Sequence, residues 1–212
     1  MSDSLKTYFK SFTYAFHIMT HPFDGYWDMK HEKRGTLAAA LTYILLTVIT
    51  MIVQRQLTGF IFNTNDIDEL NIIKEAAGIL GPLAMWCISN WCLTTLFDGE
   101  GSFKDIVMAS GYALAPIVYF VLPAVALSNW LSMDEQSFYT ILTTIAVVWM
   151  VVLMFSGTMT IHQYTPGKTI IIILAIILGM AIILFLVLLF FTLLQGVAAF
   201  FTDVVEELLE RL

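Results

Sequence analysis

Five stretches of this chain are apolar over roughly the 20 residues that a helix needs to cross a bilayer: residues 36–60, 76–97, 106–128, 137–155 and 169–195. Of its 212 residues 58% are hydrophobic and 13% charged, whereas an ordinary soluble domain is about 45–50% apolar and about 25% charged. A water-soluble protein of this size leaves roughly a third of its unfolded surface exposed, too much to hide that excess. Soluble enzymes are therefore set aside. Nucleic-acid binders go with them, because ten Lys plus Arg in a chain of net charge -7 offer little counterion release. The expected fold is all-α: a polytopic membrane protein with five transmembrane helices, an N-terminal interfacial amphipathic helix and a C-terminal amphipathic helix. The expected division is a cytosolic segment 1–34, a membrane domain 35–196 and an external helix 197–212.

Several residues shape these expectations. Pro116 and Pro123 lie in the third run, where neighbouring helices re-satisfy freed carbonyls, so a kink is expected there. The fifth run is long, but Gly179 alone is too weak a breaker to divide it. The polar, Lys-bearing start lacks a short apolar core with a small-residue cleavage site, so the first span is expected to serve as the insertion signal. Basic residues orient the bundle. Lys6, Lys10, Lys30, Lys33, Arg34, Lys104 and Lys168 fall on the N-terminal side, against Arg55, Lys74 and Arg211 on the other. A cytosolic N-terminus and an external C-terminus follow. The acids leave the inner face near neutral and place the net negative charge outside.

Both flanks are amphipathic. Leu5, Tyr8, Phe9, Phe12, Phe16 and Met19 recur at helical spacing, with Lys6, Lys10 and Thr13 on other faces. This fits a helix lying in the interface, aromatic side towards the lipid, or else one that binds a partner. At the other end Val197, Phe200, Phe201, Val204, Val205, Leu208, Leu209 and Leu212 form a stripe opposite Asp203, Glu206, Glu207 and Glu210. An acidic helix is poorly suited to a membrane surface. Its stripe is expected to pack on the protein's own external loops or on another subunit or partner.

Candidate chemistry is sparse. The central parts of the spans hold no ionisable residue, the default mark of a transporter or pump. No zinc-protease motif and no nucleophile–base dyad can be assembled at membrane depth. Asn90, with Ser89, Thr94 and Thr95 near it, is expected to make an interhelical hydrogen bond. His162, Tyr164 and Gln195 fall at span ends. His17, His21, Asp24, Asp28 and His31 have metal-ligand spacing only on an unbroken helix, and Pro22 and Gly25 make HPFDGYWD (21–28) read as a turn. The loop DGEGSFKD (98–105) begins like a calcium loop, but Phe103 and Ala109 stand where Gly and Glu are required. A glycine turn and a Ser102–Asp105 capping box explain it better. Asn65, Asp66, Asp68 and Glu69 make an acidic external loop. Cys87 and Cys92, five residues apart on one helix, read as small buried hydrophobes and not as a disulfide. No metal and no cofactor are expected.

The third span opens with GYALAP (Gly111–Pro116) just after the GEGSFKD loop. In a five-span chain this resembles the Yip/YIPF family of membrane proteins, and the stretch HPFDGYWDMKHEKRG (21–35) is similar to its bacterial branch. The resemblance covers roughly residues 20–195. It implies the fold and topology, and with the bacterial branch a bacterial plasma membrane. The family's eukaryotic members work with Rab-type GTPases and carry a DLYGP motif before the first span; this chain has none, so small-GTPase binding is not carried over. Gly111 is expected to permit close helix approach and Pro116 to bend the helix, with Tyr112, Asn90 and Glu100 around a small cavity. The function expected is a non-enzymatic scaffold or adaptor that recruits or stabilises membrane partners or shapes membrane. The alternative is a small carrier or lipid-handling protein. The expected partners are membrane lipids and other membrane proteins, or a second copy of the chain.

Overall fold

The computed structural model describes residues 3–63 and 71–210, so the acidic loop at Asn65–Glu69 lies outside the described residues. Every regular element among them is helical. Helices α1 (Asp3–Thr20) and α2 (Pro22–His31) precede the bundle. The first two spans are α3 (Leu37–Leu57) and α4 (Ile72–Leu96). The third is composite: α5 (Phe103–Ala113), a π-helical turn (Ile117–Val121) and α6 (Leu122–Ser128). Helices α7 (Gln136–His162) and α8 (Pro166–Glu210) complete the chain. Five helices are thus long and apolar enough to cross a membrane.

Local chemistry sets the boundaries. Thr36 accepts the Ala39 N–H at the start of α3, and Asn71 accepts the Lys74 N–H at the start of α4, each satisfying a donor that the helix cannot. The Asn71 cap starts α4 a turn before its apolar run, and Glu75 in that turn pairs with Arg55 of α3. Ser102 and Asp105 form the expected capping box, and Ser132 with Glu135 forms a second, unforeseen one ahead of α7. The turn expected at 21–28 is confined to His21: Pro22 occupies the first turn of α2, where its missing N–H costs nothing. Gly25 sits inside α2, and a Cβ there would lie 2.9 Å from the Ile18 Cα. It is retained by close packing of α1 on α2.

The third span is the centre of the bundle. In its most apolar window 72% of residues are buried, against 39% in the first span and 17% or less in the other three. Pro116 and Pro123 deprive the Tyr112 and Tyr119 carbonyls of their helical donors. Where a kink was expected, the chain widens into the π-turn between the two prolines. Around this span stand α3, α7 and α4, while α8 packs along α4 and more lightly on α7.

The α1–α2 hairpin docks on α3, α5 and α7. Its contact face is Ser11, Ala15, Ile18 and Met19 of α1 with Tyr26 and Met29 of α2, all buried; of these only Met19 belongs to the expected stripe. The aromatic residues divide. Phe12 stacks on Tyr43 at 4.7 Å and the Tyr8 hydroxyl meets that of Thr42 at 2.7 Å, whereas Leu5 and Phe9 face outward. Phe16 faces outward too, but its ring still contacts Tyr119 at 4.4 Å. Burial pushes the Tyr14 phenol up to about 12, and its hydroxyl donates to the Gly25 carbonyl across the hairpin. At the tip, Trp149 of α7 donates its indole N–H to the Met19 carbonyl at 3.0 Å. Cys87 is buried as expected, but Cys92 is exposed, because its face of α4 points away from the bundle.

Helices α3 and α5 approach so closely that a Cβ on Gly111 would lie 2.7 Å from the Ala40 carbonyl oxygen. Gly111→Leu should therefore destabilise the protein by about 1–3 kcal/mol or prevent folding. Gly196→Ala, where a Cβ meets nothing within 4 Å, should be neutral or stabilising by up to about 1 kcal/mol. Thermal unfolding in detergent reads both, and an unchanged midpoint for Gly111→Leu would contradict the packing.

Candidate functional site

The polar groups of the bundle concentrate where α4 and α7 end and the hairpin lies against them. Both helices stop through a residue in the left-handed region, Asp98 after α4 and Gln163 after α7, with φ of 55° and 54°. Neither is glycine, the usual residue at such a helix end. The Gly99–Gly101 loop then presses on His162: a Cβ on Gly99 would lie 2.6 Å from both His162 Nδ1 and the Tyr164 hydroxyl oxygen. The GEG sequence is thus required by contact.

Two lysines sit on the helix ends. Lys30 of α2 donates to the Ile161 carbonyl at 2.8 Å and pairs with Glu100 at 3.5 Å. Lys168 donates to the Phe97 carbonyl at 2.8 Å and lies 4.2 Å over the Tyr164 ring. Each places a cation on the negative end of a helix dipole. Glu100 also accepts a hydrogen bond from Gln163. Tyr164 donates to the Phe97 carbonyl at 3.1 Å; burial raises its pKa, and the charge of Asp98 adds to the rise.

Below the loop, Asn90, Ser110, Thr158 and His162 border a void of about 10 Å³. The Gly101 N–H donates to His162 Nδ1 at 3.2 Å, which requires a lone pair there and puts the ring proton on Nε2. Neither His162 Nε2 nor Asn90 Oδ1 meets a hydrogen-bond partner among the described residues, although both are buried. The interhelical hydrogen bond expected of the Asn90 amide is thus not made through Oδ1. The void has the volume of one water, and it lies between a donor and an acceptor.

The residues expected around one cavity have three separate surroundings. Asn90 borders the void. Glu100 lies in the loop above it, on Lys30 and Gln163. Tyr112 is fully buried among α1 and α3: its hydroxyl bonds the Ser11 hydroxyl at 2.8 Å, donates to the Ser11 carbonyl at 3.0 Å and receives the Thr36 N–H at 3.3 Å. Gly111 faces Ala40, and Pro116 opens the π-turn. Of the C-terminal stripe, Phe200, Phe201, Val204, Val205 and Leu209 are exposed; Leu208 falls outside the described side chains. His162, Lys30 and Ser11 were not foreseen as members of these clusters. The glycine pair flanking Glu100 was their one signal, since loop glycines at alternate positions permit a close approach.

No nucleophile is paired with a base in this arrangement. Its hydrogen bonds fasten the hairpin and two loops to the bundle. Tyr112→Phe removes the hydroxyl that serves Ser11 and Thr36, at a cost of about 1–3 kcal/mol. Amide exchange should then accelerate across residues 3–20 more than in α7; equal protection in the two would refute the fastening role.

Comparison with known proteins places the chain. Searches against curated proteins and solved structures return no match. The family model of the Yip1 domain matches residues 16–204, which takes in the end of α1, all of α2, all five spans and most of the extended α8. The protein is a member of the Yip1 domain family of membrane proteins.

Proposed function

We propose that this protein is a non-enzymatic scaffold or adaptor in a bacterial plasma membrane, N-terminus cytosolic, which recruits or stabilises other membrane proteins through α8. The observation that carries the proposal is the lack of cover on that helix. Its last buried residue is Ile176, and from there to Glu207 the described side chains are exposed or half-buried. The apolar part, residues 170–201, is about 48 Å long at 1.5 Å per residue, against a hydrocarbon core of about 30 Å. A tilt of roughly 50° would be needed to immerse it, beyond the 0–40° seen for spanning helices. Among the described residues no loop packs on this part of α8, which supports a partner's apolar surface as its cover. The acidic end, Asp203, Glu206 and Glu207, favours a partner with basic residues at that level.

In-cell crosslinking followed by gentle detergent purification tests this. The protein should be captured with another membrane protein or a second copy. Phe200→Ser combined with Val204→Ser should reduce that capture several-fold while leaving thermal stability unchanged, because both side chains are exposed. Recovery of a lone monomer under every condition would sink the proposal.

A further inference from the structure

The geometry points to a binding site for one fatty-acyl chain inside the bundle. All five spans wall a single cleft of about 580 Å³ between the α4–α8 pair and the rest of the bundle, within the roughly 300–1,000 Å³ range of ligand pockets. Thr47 and Trp86 are the lining residues that carry a polar side-chain atom, and the Thr47 hydroxyl already donates to the Tyr43 carbonyl at 2.9 Å. No charged or amide group faces the space, which excludes ions, sugars and polar solutes. The lining comes from the middle of α3, α4, the π-turn region and α7, so the space lies at hydrocarbon depth, where acyl chains are the surrounding medium.

Two features favour a flexible occupant over empty space. Met51, Met150 and Met154 contribute to the wall, and methionine adapts to irregular apolar ligands. Gly78 supplies the α4 side without a side chain, and a Cβ there would meet nothing within 4 Å. The cleft opens to the outside of the bundle at Val151 and Ile177, both exposed, and if left empty it would forfeit the contacts of its lining. With no charge in the wall, the site selects by chain shape and not by headgroup. This site goes beyond the adaptor proposal and does not depend on it.

Photolabelling of the full chain in phosphatidylcholine vesicles tests the inference. One preparation contains phosphatidylcholine with a mid-chain diazirine, and the other contains the matching free fatty acid. After irradiation, adducts on Ile173 and Ile177, which face the cleft, are compared with those on Leu174 and Leu178, exposed at the same depth of the same helix. The expected result is several-fold more label in the cleft, from the phospholipid, the fatty acid or both, according to the source of the chain. Gly78→Leu from one wall and Met150→Phe from another should each cut cleft labelling several-fold and spare Leu174. Cleft labelling no higher than on the outward face overturns the site, as does labelling that a folded variant leaves unchanged. If neither variant folds, the comparison within the unaltered protein decides.

Discussion

A bilayer core offers no water to an unpaired carbonyl, and this chain places two prolines in one span. That constraint organises the bundle. The carbonyls of Tyr112 and Tyr119 lose their helical donors, and lipid cannot replace them. The span that carries two such prolines is the most buried of the five, whereas α4, with the single Pro82, stays largely exposed. The other spans are placed by having to surround it. Gly111 brings α3 within backbone contact on one side, and α7 and α4 close the others. The π-turn is the local accommodation, and the central position is the global one.

The hairpin solves a related problem with the same currency of carbonyls. Tyr14, Tyr43, Tyr112 and Trp149 each donate to a main-chain oxygen of α1 or α2. Such contacts fix depth and rotation without burying a charge. They also explain why aromatic residues with a polar tip, and not phenylalanine alone, recur where the hairpin meets the bundle. Lys30 and Lys168 extend the pattern to the exposed rim, where a cation on a helix end remains partly solvated.

How much of this was legible in the sequence follows from which forces act locally. The five spans and the Ser102–Asp105 cap were readable because length, hydropathy and capping act within a few residues. The Yip1 family assignment rested on Gly111–Pro116 and the loop before it, and the family model agrees across most of the chain. The hairpin's docking face was not readable. Ser11 and Ala15 carry no hydrophobic signal, and their partners lie far along the chain. Nor did the sequence reveal that Asn90 and Tyr112 have separate surroundings, since helix rotation is decided by packing. His162 looked like a helix end; only the glycines on either side of Glu100 hinted that a loop folds over it.

Helix α8 spans about 67 Å in 45 residues without a break, yet its buried residues are Thr169, Ile172 and Ile176, and its closest approach to α4 comes one turn further, where Gly179 meets Ser89. Mechanically it is a lever with its fulcrum near one end. A sideways displacement where Phe200 and Phe201 lie becomes a smaller rotation at the fulcrum, which is also one wall of the central cleft.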